Sequence, residues 1–218
     1  MPGVLLRTIH KAASAGWVYD TIQTLAGVPL LQSRLRRCLS DSQGRVLDIG
    51  GGTGALSGLL PSGCTYTCLD NEMPKLQRCA QRVPGGALLG DATRMPVRSG
   101  SIDVVTVVNV THHLTGDQFE EMLCETARVM KPEASFLLMD AVWKPSRIPG
   151  RILWALDRGS APKTAIQLRE ALERHFSIQE WRHMAIFHEY IMGMCRKKPA
   201  AAQPPAANPE LTAFEQPR

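Results

Sequence analysis

Four polar side chains stand at the ends of short apolar runs in the first half of the chain: Asp48, Asp70, Asp91 and Asn109. Asp48 leads into glycines at 50, 52 and 54. A strand that runs into a glycine turn and then a helix brings bare backbone and unsatisfied N–H groups against a ligand. The spacing Gly50-x-Gly52-x-Gly54 departs from the dinucleotide fingerprint G-x-G-x-x-G, although Ala55 satisfies its looser form. Asp70 follows Gly50 by 20 residues, the distance at which an acid meets ribose hydroxyls. A carboxylate there accepts from both hydroxyls and repels a 2′-phosphate. His112 and His113 lie just past Asn109, and imidazole is the side chain suited to taking a proton near neutral pH.

These groups need a frame, and the hydrophobic pattern supplies one. Residues 46–49 read as a short strand and 53–60 as a short helix. A second strand over 66–70, a helix over 74–82 and a third strand over 87–91 follow. Residues 102–108 are almost entirely β-branched, as befits a central strand buried on both faces. Thr115-x-x-Gln118 is a capping box opening a helix that ends at Lys131-Pro132, before a fifth strand over 134–142. Ser160-Ala161-Pro162 predicts a helix start with proline in the tolerated first turn, running to about His175. Residues 177–184 and 186–196 then read as an antiparallel pair. Alternating strands and helices predict a parallel sheet with ligands at the carboxyl ends of its strands, where the four polar residues cluster.

The totals suit one α/β domain: 218 residues, 44% hydrophobic and 21% charged. No run approaches the roughly 18–20 apolar residues of a membrane span, and the apolar stretch after Met1 is too short for a secretory signal. Six cysteines lack the C-x-x-C spacing of a zinc or redox centre, so free thiols, no metal and a cytoplasmic location are expected. A net charge of +5 reads as a solvated basic surface. Residues 1–40 are expected to form a helical cap, basic and amphipathic, that packs on the domain; the alternative is contact with a membrane surface. Residues 143–160 break the strand–helix pattern as an insertion on the substrate side, and the Pro- and Ala-rich residues 199–218 form a disordered tail.

The motifs in order resemble those of class I S-adenosylmethionine-dependent methyltransferases. The likeness runs from about Tyr19 to Arg196. It is carried by Val46-Leu47-Asp48-Ile49-Gly50-Gly51-Gly52-Thr53-Gly54 and by Leu69-Asp70. Gly90-Asp91-Ala92-Thr93-Arg94-Met95-Pro96-Val97 resembles the family's G-D-A-x-x-L-P-F, and Ser101-Ile102-Asp103-Val104-Val105 its S-F-D-x-V. His112-His113-Leu114 is similar to its H-H-L. Ala127-Arg128-Val129-Met130-Lys131-Pro132 is similar to R-V-L-K-P-G-G, with Glu133-Ala134 in place of the two glycines.

The resemblance implies a Rossmann-like seven-stranded sheet, mostly parallel with an antiparallel C-terminal strand and helices on both faces. It implies S-adenosylmethionine as cofactor and S-adenosylhomocysteine as product. Gly50, Gly52 and Gly54 would approach the methionine part, and Asp48 its amino group. Asp70 would hold the ribose, Asn71 and Met73 border the adenine, and Asp91 with Ala92 meet the adenine edge. Asn109 would lie below the methionine, and Tyr19 would close over its carboxylate. Met73 as ordinary core and Asp103 as a turn-fixing acid are the structural alternatives. His112 and His113 are the candidate bases, against a purely loop-shaping role.

The expected acceptor is a small hydrophobic or aromatic molecule methylated on O, N or C, chosen by the N-terminal helices and the insertion. Lipid or quinone methylation at a membrane surface is the alternative. Nucleic acid is not expected, because Asn109-Val110-Thr111-His112 replaces the Asn/Asp-Pro-Pro-Tyr/Phe of amino-methylating nucleic-acid enzymes. A monomer or homodimer is expected. A nicotinamide-dependent oxidoreductase would leave the motifs at Asp91, His112-His113 and Arg128 unexplained, and a non-catalytic binding module would keep the glycines and acids without turnover.

Overall fold

The computed structural model describes residues 28–148, 150–151, 154, 161–186 and 188–198. Tyr19, most of the N-terminal cap, much of the insertion and the tail lie outside the described residues. The chain opens with helix α1 (Val28–Cys38), whose Leu31 and Leu35, with Leu39 just beyond, form its buried face. Strand β1 (Gly44–Ile49) ends in the glycine turn. The short helix expected over 53–60 is a tight 3-10 turn at Ala55–Leu59, following a left-handed Gly54. Then come β2 (Cys64–Asp70), α2 (Met73–Arg82), the short β3 (Ala87–Leu89) and β4 (Ile102–Val108).

A second 3-10 turn, Thr111–His113, leads to α3 (Gly116–Val129) and β5 (Met130–Val142). Helix α4 (Ala165–His175) and strands β6 (Phe176–Ala185) and β7 (Glu189–Lys197) complete the domain. The capping box at Thr115 is formed, Thr115 N–H donating to Gln118 Oε1 at 3.0 Å. The start placed at Ser160-Ala161-Pro162 is corrected: α4 is capped by Thr164, with Gln167 closing a second reciprocal box. The capping chemistry of Thr-x-x-Gln outweighs the preference of proline for the first turn.

The seven strands lie in the order β3-β2-β1-β4-β5-β7-β6. The first five run parallel, β7 is antiparallel to β5, and β6 is antiparallel to β7. The direction of winding reverses between β1 and β4, so a crevice must open beyond their carboxyl ends. Gly50 and Asn109 are the residues that follow those two ends.

Alternation along the strands sends side chains to two cores. Leu47, Ile49, Val105 and Phe136 pack under α3 and α4. Val46, Tyr66, Val104 and Met139 pack under α1 and α2. Asp48 and Asp140, at 2% and 0% exposure, are the most deeply buried acids among the described residues. Among the described residues no helix is long and apolar enough to cross a membrane.

Candidate cofactor site at the carboxyl ends of the strands

The glycine turn alternates in conformation as well as in sequence. Gly50, Gly52 and Gly54 all have positive φ, at 66°, 56° and 73°, a region that side chains disfavour. Gly51 matters for a different reason: a Cβ there would sit 2.4 Å from Asp48 Oδ2 and 2.9 Å from Cys68 Sγ. The turn is therefore pressed flat onto the two buried side chains beneath it. Gly54 plays the same part against α2, where a Cβ would come within 2.7 Å of Cys79 Sγ.

Asp70 ends β2 and fastens this turn from the side. Its Oδ2 accepts from Gly52 N–H at 3.0 Å and its Oδ1 from Glu72 N–H at 2.9 Å. Each carboxylate oxygen keeps capacity for a second donor, as a vicinal diol would supply. Asp91 Oδ1 accepts from the N–H and hydroxyl of Thr93, at 2.8 and 2.9 Å, and so fixes its own turn. Arg128 secures the loop beyond, donating to the carbonyls of Val97 and Met95 at 2.8 and 3.0 Å while paired with Glu125. Asp103 accepts from Arg45 N–H and Lys131 Nζ, and so fixes strand starts far from the crevice.

A cleft of about 550 Å³ is lined by Gly50, Asp70, Asn71, Asp91, Ala92, Asn109 and His113, among others. A second, smaller cavity of about 260 Å³ adjoins it, sharing Gly50 and Asn109 and walled by Leu31, Leu35, Leu56 and Met139. Together they make an elongated groove, polar at the Asp70 end and apolar under α1. Asn109, at the shared boundary, holds a positive φ of 56°, which marks a backbone conformation fixed by its surroundings. Met73 is 48% exposed and is not among the cleft's lining residues, and it is not core. Gly52 and Gly54 shape the turn from its rim and from beneath.

Asp48 reaches the groove as a buried acid. Its two oxygens accept from the hydroxyls of Tyr66 and Thr106, each at 2.7 Å. Burial pushes its pKa up to about 6, against the lowering effect of those two hydrogen bonds. Burial, then the charge of Asp48, raises the Tyr66 phenol well above its usual range. The pattern in the sequence gave no sign of the Tyr66–Asp48–Thr106 triad, since these residues meet only when β1, β2 and β4 pair.

The histidines divide. His113 is exposed and lines the cleft. His112 is 9% exposed, with Nδ1 2.6 Å from Asp140 Oδ1. Their rings are 4.0 Å apart, and Trp154 meets His112 edge-on at 5.4 Å. Asp140 and Lys163, which hold this turn, were absent from the sequence-based set. The signal available was Asp140 itself, an acid ending the apolar run 136–139 as Asp48 ends 46–47. The six cysteines are free thiols.

Strand order, glycine turn and strand-end acids together define the class I methyltransferase fold. Residues 47–138 match the model of a methyltransferase domain family. An uncharacterized methyltransferase of Oceanobacillus iheyensis is 28% identical over 112 residues, 50% of this chain and 53% of that protein. The chain thus spans about half the length of that curated relative. A putative methyltransferase of Bacillus halodurans superposes with a TM-score of 0.67 at 15% identity, covering 77% of this chain and 99% of the other. Geranyl diphosphate C-methyltransferase of Streptomyces coelicolor, solved with S-adenosylhomocysteine, gives 0.63 at 11% identity over 77% and 81%. Over residues 47–138 the chain is thus similar to the S-adenosylmethionine-dependent methyltransferases, a family whose cofactor is S-adenosylmethionine.

Proposed function

We propose that the protein transfers a methyl group from S-adenosylmethionine to a small hydrophobic or aromatic acceptor. The observation that carries this reading is the shape of the groove. Its polar end presents Asp70, Asn71 and the backbone around Ala92 to an adenosine. Its middle is the glycine turn with Asn109, and its far end is apolar. The residues fit the cofactor: Asp70 would hold the ribose, and Asp91, Ala92 and Asn71 would border the base. The positive-φ glycines let backbone approach the methionine. Asp48 serves from below, holding the floor of the turn through Tyr66 and Thr106. When bound, the sulfonium supplies an electrophilic methyl, and the sulfur leaves as a neutral thioether.

The chain's own contribution is alignment and exclusion of water. In favourable intramolecular models these supply on the order of 7–11 kcal/mol. His113 borders the cleft and His112 lies next to it in the same turn, buried against Asp140; either would be the base if the acceptor carries a proton. The reading is tested with methyl-labelled S-adenosylmethionine against small aromatic alcohols, amines and thiols, with vesicles and transfer RNA in parallel. Label in an organic-soluble small product is expected. Label only in lipid or RNA would overturn the acceptor class.

A further inference from the structure

We propose that Gln32 is a specificity-determining residue: it holds the α-carboxylate of the cofactor, so that the site prefers S-adenosylhomocysteine to a nucleoside thioether without the amino acid. This deepens the methyltransferase reading above and rests on it. Gln32 lines the smaller cavity and not the larger cleft, whereas Gly50 and Asn109 line both. A ligand with its adenosine at Asp70 and its sulfur near Gly50 and Asn109 therefore sends its amino-acid end into the smaller cavity.

That end is a zwitterion, an ammonium beside a carboxylate, and the cavity meets its two charges unequally. Asp48 is the charged side chain among the described residues that line it; no lysine, arginine or histidine does. Each Asp48 oxygen accepts one hydroxyl, from Tyr66 or Thr106, and keeps capacity for a further donor. It suits the ammonium. The carboxylate has no cation to meet, and without donors it would be costly against a wall of Leu31, Leu35 and Leu56. Neutral N–H groups must serve instead. The lining side chains that carry them are the amides of Asn109 and Gln32. Asn109 stands at the boundary with the cleft, which leaves Gln32 for the far end of the ligand.

Helix α1 is built to present this amide. Leu31 and Leu35, each 4% exposed, set the helix against the core. Gln32 follows Leu31 and falls at the edge of that face, exposed. Among the described residues its side chain has no hydrogen-bond partner. Arg36, one turn on, donates to the carbonyl of Gly58 at 3.4 Å. That contact ties α1 to the 3-10 turn at Ala55–Leu59, which also walls the cavity.

The test is titration calorimetry with S-adenosylhomocysteine and with methylthioadenosine, which keeps the adenosine and the sulfur and lacks the amino acid. Wild type should bind S-adenosylhomocysteine the more tightly. Gln32→Leu should weaken S-adenosylhomocysteine about 10-fold, as loss of a hydrogen bond to a charged group implies, with methylthioadenosine within about twofold of wild type. Gln32→Glu keeps the shape and sets one carboxylate against another. It should weaken S-adenosylhomocysteine further and again spare methylthioadenosine. Wild-type S-adenosylhomocysteine affinity in either variant, or equal losses for the two ligands, overturns the proposal. So does a wild-type protein that binds both ligands equally well. Wild-type protein that binds neither sinks the methyltransferase reading instead.

Discussion

Replacing Asp48 by asparagine should change how the protein's stability responds to pH. The carboxyl is 2% exposed, and burial raises its pKa from 3.8 to about 6. The folded state therefore binds this proton more tightly than the unfolded chain does. Its contribution falls as pH rises from about 4 through about 6 and is fully unfavourable above that. The whole window is worth about 3 kcal/mol; between pH 5 and pH 8 the linkage relation gives roughly 1.4 kcal/mol.

Acids held low by ion partners act in the opposite sense. Arg174 lowers Glu120, Lys131 lowers Asp103 and Arg128 lowers Glu125, so their stabilisation is lost as pH falls. These groups remain in both proteins and cancel in the difference. Urea unfolding of wild type and Asp48→Asn at pH 5 and pH 8 isolates Asp48. Wild type should gain about 1.4 kcal/mol relative to the variant at pH 5. A difference that is flat with pH, or that grows in the other direction, refutes the argument about the buried acid.

Further outcomes follow from the same geometry. Gly51→Ala places a Cβ 2.4 Å from Asp48 Oδ2; overpacking there should cost about 1–3 kcal/mol and weaken S-adenosylhomocysteine binding, read by thermal melts and calorimetry. Gly100→Ala has open space but a φ of 60°; it should cost about 1 kcal/mol and leave ligand affinity unchanged. Thr164→Ala removes the α4 cap and should lower stability by about 1 kcal/mol, whereas Pro162→Ala should change it little, as urea midpoints will show. Arg128→Ala frees the loop after Asp91 and should speed amide exchange at Met95–Ser99.

The fold was legible where local chemistry and tertiary context agreed. The β-branched run fixes β4 at Ile102–Val108, because such residues suit a strand buried on both faces. The alternating glycines gave the turn, since only glycine accepts three positive φ values in so short a span. The start of α4 lies later than Pro162 implies, because the box at Thr164 and Gln167 sets it. The site was legible at its rim, through Asp70, Asp91 and Asn109, which stand beside the cleft. What lies beneath was hidden. Gly51 is a packing position that spacing motifs ignore, and Asp140 and Lys163 meet the His112 turn from 28 and 49–52 residues away in sequence. Contacts of that kind come from register and crossover, which periodicity does not encode.

Binding of S-adenosylhomocysteine, followed by titration calorimetry on wild type and Asp70→Ala, tests the cofactor site most directly. One site should bind in the wild type, with affinity at least about 30-fold weaker in the variant, as loss of charge-assisted hydrogen bonds requires. No heat at millimolar ligand, or equal affinity in the two proteins, would contradict it.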